Sequence, residues 1–108
     1  MRLKTYSEKH SRILHTIRNH PDIEKISHPR EIKMITDGST YVGYIQRQKH
    51  LISIAIHPTF QSKGYGTEAL KKFCKKGDEA EILWGNIKSE KAFKKAGFKP
   101  YATRFIKT

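Results

Sequence analysis

A chain of 108 residues with 22 lysines and arginines against 10 aspartates and glutamates has room for one domain around a modest core, and carries a formal charge of +12. That charge points to an anionic ligand, substrate or partner and argues against free polyamines, which it would repel. The single cysteine, Cys74, excludes an internal disulfide and fits a reducing, cytoplasmic setting. No apolar run reaches the roughly 20 residues of a bilayer span, and MRLKTYSEKH has no signal-peptide core, so neither a membrane nor export is expected.

No linker, internal repeat or low-complexity tract divides the chain, which reads as a single domain over residues 1–108. A short strand is expected at residues 3–6. Ile13, Leu14 and Ile17 at helical spacing predict a helix ending near His20-Pro21, and a further helical turn is expected over 22–26. From Glu31 the pattern changes. EIKMIT and TYVGYIQR, separated by Asp37-Gly38, predict a hairpin, with Gly43 marking a bulge. LISIAI at 51–56 is apolar on both faces, as in a central strand, and stops at His57-Pro58.

Residues 66–76 place Ala69, Leu70, Phe73 and Cys74 on one helical face, with Glu68 in the first turn, lysines in the last and Gly77 as the stop. AEILWGN follows as a strand. Ser89 is the expected N-cap of a second short helix carrying Ala92, Phe93 and Ala96, closed by Gly97-Phe98, and a strand over 101–106 ends the chain. The predicted class is α+β: a mixed sheet with about four helices packed on its faces.

The stretch HPTFQSKGYGTEAL, residues 57–70, joins an apolar strand to a helix through two glycines. Such a junction leaves several backbone N–H groups unpaired in front of the helix dipole, an arrangement that grips phosphate. Gly64 and Gly66 would let oxygen atoms approach the backbone, and Lys63 would add a charge. The spacing alone leaves a tight turn as an equal alternative. It is neither a GxxxxGK[ST] loop nor GxGxxG, because position 69 is alanine. His10, His15 and His20 recur every five residues, which on a helix turns successive side chains about 140° apart, so no metal site is assigned. Lys71, Lys72, Lys75 and Lys76 read as a solvated helix face, or as a rim attracting a phosphate or an acidic partner.

Gln61-Ser62-Lys63-Gly64-Tyr65-Gly66 resembles the Q/R-x-x-G-x-G/A signature of the GNAT superfamily of acetyl-CoA-dependent N-acetyltransferases, and it likewise follows an apolar strand ending in proline. Asn86, Ser89, Phe93, Gly97 and Phe98 fall at the spacing of that family's N-x-x-A-x-x-x-Y-x-x-x-G-F pattern. The resemblance implies a GNAT-like central mixed sheet in a compact version with a short C-terminus, using acetyl-CoA as co-substrate. It further implies that Ile54, Ala55 and Ile56 pair with the pantetheine arm like an added strand, while the loop of Gln61, Ser62, Lys63, Gly64, Tyr65, Gly66 and Thr67 receives the diphosphate. Asn86 and Ser89 belong to the second cofactor motif, although Asn86 has the plain alternative of turning the chain into the helix.

Phe93 stands where many members carry a tyrosine that protonates the departing sulfur. It cannot do so, and its ring either packs on the cofactor arm or is a core aromatic. Tyr65 and Tyr101 are substitutes by residue type alone. His50 occupies the position of a glutamate base in some members, and an imidazole accepts a proton near neutral pH; its plain alternative is a solvated turn. His57 more simply shapes the strand exit, and a backbone N–H near Ile54 would polarise the thioester carbonyl. One short strand after the last helix implies an open acceptor groove. That suits a macromolecular amine, such as one on an acidic protein or an aminoacyl-RNA, or else a homodimer that supplies the missing wall. The expected function is N-acetyl transfer from acetyl-CoA to such an amine. The alternative is a catalytically quiet acyl-CoA-binding or nucleic-acid-binding module, against which stand the core-periodic spacing of most aromatics and the lack of an RNA-binding signature.

Overall fold

The computed structural model describes residues 1–18, 31–82, 86–103 and 105–108. Its sheet is built from two tight hairpins. Gly38, with φ +61°, opens a turn closed by the Asp37–Thr40 pair and joins β2 (Glu31–Asp37) to β3 (Thr40–Gln48). Lys49, with φ +59°, opens the turn closed by Gln48–Leu51 and joins β3 to β4 (Leu51–Ile56). With β1 (Arg2–Thr5) the antiparallel order is β1-β2-β3-β4.

The register between β2 and β3 slips after Ile35: Ile35 faces Gly43 while Thr36 faces Tyr41, so Val42 is the extra residue of a bulge beside Gly43, as expected. A Cβ on Gly43 would lie 2.2 Å from the Ala55 carbonyl oxygen, so only glycine lets β3 come this close to β4.

The two faces of the sheet are covered separately. Ile35, Val42, Ile45 and Ile52 pack with Ala69 and Leu70 of α2 (Tyr65–Phe73) and Phe93 of α3 (Ile87–Lys95). Met34, Tyr44 and Ala55 pack with Leu14 of α1 (Ser11–Arg18). Burying each such Ile or Leu side chain contributes about 1.5–3 kcal/mol. β4 sends Ile52 into one layer and Ala55 into the other, which is why LISIAI carries apolar residues on both faces.

Among the described residues β4 is nevertheless the last of the four strands in the order and not a central one. Beyond it lies one parallel pair, Leu51 with Glu79, made by Ile52 N–H donating to the Glu79 carbonyl and Glu79 N–H donating to the His50 carbonyl, each at 2.7 Å. The sheet is therefore antiparallel apart from this contact. Residues 80–82 of the expected AEILWGN strand make no ladder, and residues 83–85, with Trp84, lie outside the described residues, as do His20 and the expected turn over 22–26.

Arg47 holds that contact in place. Its Nε and Nη2 donate to Oδ1 and Oδ2 of Asp78 at 3.0 and 2.8 Å, Nη1 donates to Glu31 Oε1 at 2.7 Å, and Nη2 also reaches the Phe73 carbonyl at 3.0 Å. The guanidinium lies 4.5 Å from the centre of the Phe73 ring. Asp78 Oδ2 further accepts from Lys75 N–H at 2.8 Å. These bonds end α2 at Phe73 and leave Cys74 extended, three residues before the expected end at Lys76; Gly77 sits in the following turn at φ +96°.

Two other expectations are corrected. α3 is capped by Asn86, whose Oδ1 accepts from Ser89 N–H at 3.2 Å, so Ser89 lies inside the helix and Asn86 supplies the cap. The helix ends as foreseen at Gly97, with φ +99°, through Phe98 N–H to Phe93 O at 2.9 Å and Gly97 N–H to Lys94 O at 3.1 Å. Phe98 then packs edge-on against Phe93, ring centres 4.9 Å apart. The expected last strand is not formed: residues 101–103 and 105–106 pair with no sheet edge, and Phe105 is 93 % exposed.

The Asp78 side chain is only 3 % exposed, and its hydrogen bonds to Arg47 hold the carboxyl below its usual range. A depressed carboxyl stabilises the fold above its unfolded value, near pH 4, and loses that contribution as the pH falls through the folded value. Asp78→Asn leaves the guanidinium half-compensated and should cost about 3 kcal/mol at neutral pH, read by urea unfolding. The variant should also lose part of the wild-type stability change below about pH 4.

Candidate active site

The site begins where β4 loses its outer partner. Ile52 N–H points outward to Glu79, while Ser53 and Ala55 face β3 opposite Gln46 and Tyr44. By the alternation of a strand, the N–H and C=O of Ile54 point outward too, and among the described residues they have no partner there. Ile56 ends the open edge, because its carbonyl accepts from Gln61 Nε2 at 2.9 Å. The signature glutamine is thus a brace that folds the loop back onto the strand it leaves.

His57 shapes the exit: its N–H donates to the Val42 carbonyl at 2.8 Å and its Nδ1 accepts from Thr59 N–H at 3.2 Å. Ser62 at φ +65° and Gly64 at φ +86° then turn the chain into α2. Gly64 occupies the N-cap and no side chain caps the helix. The first intrahelical bond is Glu68 N–H to Gly64 O at 3.0 Å, so the N–H groups of Tyr65, Gly66 and Thr67 have no helical acceptor. A Cβ on Gly66 would meet only Ile56 Cγ1, at 3.9 Å, so space is left for a ligand atom at the backbone. Ser62 and Lys63 are exposed beside it. The strand edge and the uncapped helix together form a track that accepts amides first and an anion at its end.

Tyr65 is occupied elsewhere: its hydroxyl donates to Asp37 Oδ2 on the β2–β3 hairpin, which raises its pKa and ties α2 to the sheet. Phe93 is 5 % exposed and belongs to the core with Phe98. Asn86 and Ser89 make the helix cap described above. Cys74 is half-buried, and burial followed by the Asp78 carboxylate pushes its thiol up to about 11, so it is not a nucleophile at neutral pH.

At the closed end of the track, His50 Nε2 lies 3.5 Å from Glu79 Oε2, and Glu79 Oε1 accepts from the Tyr101 hydroxyl. That bond raises the Tyr101 pKa. His50 and Tyr101 were legible as residue types. Glu79 was missed, since its place beside His50 follows only from the Leu51–Glu79 pairing across the α2 crossover.

Among the described residues no cluster of His, Cys, Asp and Glu could hold a metal ion, and no helix is long and apolar enough to cross a membrane. His10 is buried, accepts from Ser7 N–H at 3.1 Å and lies near Tyr6 and Tyr41, and burial lowers its pKa. It is a buried residue packed among these rings.

No curated protein and no solved structure matches the chain. The model of the acetyltransferase (GNAT) family matches residues 4–98, a span that runs from β1 through the open edge of β4 and the glycine loop to the end of α3. The chain therefore belongs to the GNAT acetyltransferase family, whose acyl donor is acetyl-CoA.

Proposed function

We propose that the protein transfers the acetyl group of acetyl-CoA directly to an amine on a macromolecule, within a reducing compartment. The observation that carries this reading is the continuity of the Ile54 edge with the uncapped N-terminus of α2. Ile54, flanked by Ala55 and Ile56, would pair with pantetheine amides, and the N–H groups from Gly64 to Thr67, with Lys63 alongside, would hold the diphosphate. Bound there, acetyl-CoA supplies an activated thioester. The sheet would read as a mixed GNAT-like sheet once the strand begun at Glu79 is counted.

In the mechanism we infer, His50 accepts the proton of the attacking amine and Glu79 orients its imidazole from 3.5 Å. With Nε2–H turned to Glu79, Nδ1 is left as the proton acceptor. The N–H of Ile54 polarises the carbonyl. A thiol as hard to ionise as Cys74 disfavours an acyl-cysteine intermediate, which supports direct transfer. Phe93 has no hydroxyl, so the departing thiolate takes its proton from solvent. A macromolecular acceptor is favoured by the basic surface, which suits an acidic protein or an RNA and repels free polyamines.

The first test is thermal stabilisation. Acetyl-CoA or CoA at 100 times its dissociation constant adds about 2.7 kcal/mol, a shift of several degrees, whereas ATP should give none. No shift at millimolar ligand sinks the proposal. Gly66→Glu separates the site from the scaffold: an acidic residue in the first turn should favour the fold by about 0.5 kcal/mol yet weaken acetyl-CoA binding at least tenfold by repelling the diphosphate. Unchanged binding would move the diphosphate away from α2. With an acceptor peptide in hand, His50→Ala should lower kcat about 100-fold and Glu79→Gln about tenfold, with KM for acetyl-CoA nearly constant. Equal turnover by wild type and His50→Ala would remove His50 from the chemistry, and acetyl-CoA binding without any turnover would favour a quiet acyl-CoA-binding module.

A further inference from the structure

The net charge is not spread over the molecule. Residues 63–76 and 86–99, which carry α2 and α3, contain ten lysines and two glutamates, a balance of +8 within a chain total of +12. All ten lysines are exposed, and the two helices pack side by side on one face of the sheet. Both glutamates are already used: Glu68 lies 3.4 Å from Lys72 and Glu90 lies 2.8 Å from Lys94. Among the described residues, none of the other eight lysines pairs with a carboxylate. Like charges brought this close repel one another, and a polyanion that displaces its own counterions relieves them.

A second feature follows α3 along the chain. The segment after α3 was expected to be a strand, but its described residues pair with no strand, and Tyr101 is 76 % and Phe105 93 % exposed. In sequence they are interleaved with basic residues, from Lys99 to Lys107. Exposed aromatic rings beside unpaired lysines are what single-stranded nucleic acid requires, the rings stacking on bases and the ammonium groups meeting phosphates. An acidic protein would satisfy the lysines and leave the rings unexplained. The face carries lysine and no arginine over 63–76 and 86–99, which suits sequence-tolerant phosphate contact over base readout.

We propose that the α2–α3 lysine face and the C-terminal segment bearing Tyr101 and Phe105 form a binding surface for single-stranded RNA. It rests on charge and exposure, and its test uses Lys88, Lys91, Lys95 and Phe105, none of which belongs to the proposed acetyl-transfer site.

The experiment is fluorescence anisotropy of the full chain with a labelled, mixed-sequence single-stranded RNA 20-mer between 50 and 200 mM KCl, with a duplex of equal length and polyglutamate as rivals. Single strands should bind more tightly than the duplex, with affinity falling steeply as salt rises. The triple variant Lys88→Gln, Lys91→Gln, Lys95→Gln, all exposed and on one helix, should flatten the log–log salt slope by about 2. Phe105→Ala should weaken single-strand binding about tenfold at fixed salt and leave the slope alone. No binding at 50 mM KCl, competition by polyglutamate equal to that by RNA, or an inert Phe105→Ala would each overturn the proposal. Acetyl-CoA stabilisation of the triple variant, measured alongside, should be unchanged; it shows that a loss of RNA binding is local to the face and does not bear on the cofactor site.

Discussion

The ion pair between Arg47 and Asp78 is the constraint on which the site depends. It joins the middle of the sheet to the segment that returns from α2, and it does so with two parallel hydrogen bonds in a nearly buried setting. Through the same guanidinium, the last carbonyl of α2 and Glu31 of β2 are drawn to one point. Glu79 is the next residue after Asp78, so fixing Asp78 also fixes the only described contact beyond β4. Hydrophobic replacements of similar volume often match the stability of such pairs, but one here would not bring a carboxylate to Lys75 N–H and Glu79 N–H to the His50 carbonyl together.

What the pair sets up is an interruption. A strand that continued in register past Glu79 would satisfy Ile54 and close the edge; here the partner stops after a single pair among the described residues. The same economy appears at the other end, where Gly64 takes the cap position and leaves the first N–H groups of α2 unsatisfied by any side chain. Unmet backbone hydrogen bonds are costly when buried, and they persist here at the rim of the fold, where a ligand with amides and phosphates can meet them. At the other end of β4, Glu79 lies between His50 and Tyr101, the place where the proposed mechanism would handle its proton.

The surface follows a different logic from the site. The proposed cofactor track uses backbone groups and leaves the side chains of α2 and α3 to carry charge, and the segments 63–76 and 86–99 hold most of the chain's excess. The C-terminal segment, with no sheet edge to pair with, leaves its aromatics in solvent beside that charge. The proposed transfer site and the basic platform are mutually consistent, because a partner held by many weak phosphate contacts does not need an enclosed pocket.

Sequence by itself determined the parts that obey local rules. The hairpin at Gly38, the bulge beside Gly43, the doubly buried LISIAI strand, the glycine entry to α2 and the Gly97 exit from α3 each follow from backbone permissiveness or hydrophobic period, and both family motifs lie among them. Only tertiary structure decided where α2 stops, since Arg47 and Asp78 are far apart in sequence and override the helix-favouring lysines after Phe73. It likewise bonded the Gln61 side chain to the Ile56 carbonyl, gave the cap to Asn86, and left described residues 101–103 and 105–106 without a strand partner. Glu79 became part of the site by the same route. Periodicity reports which face of an element is buried, but it carries no information about which distant partner a backbone or carboxylate will meet, and that meeting is what made the site.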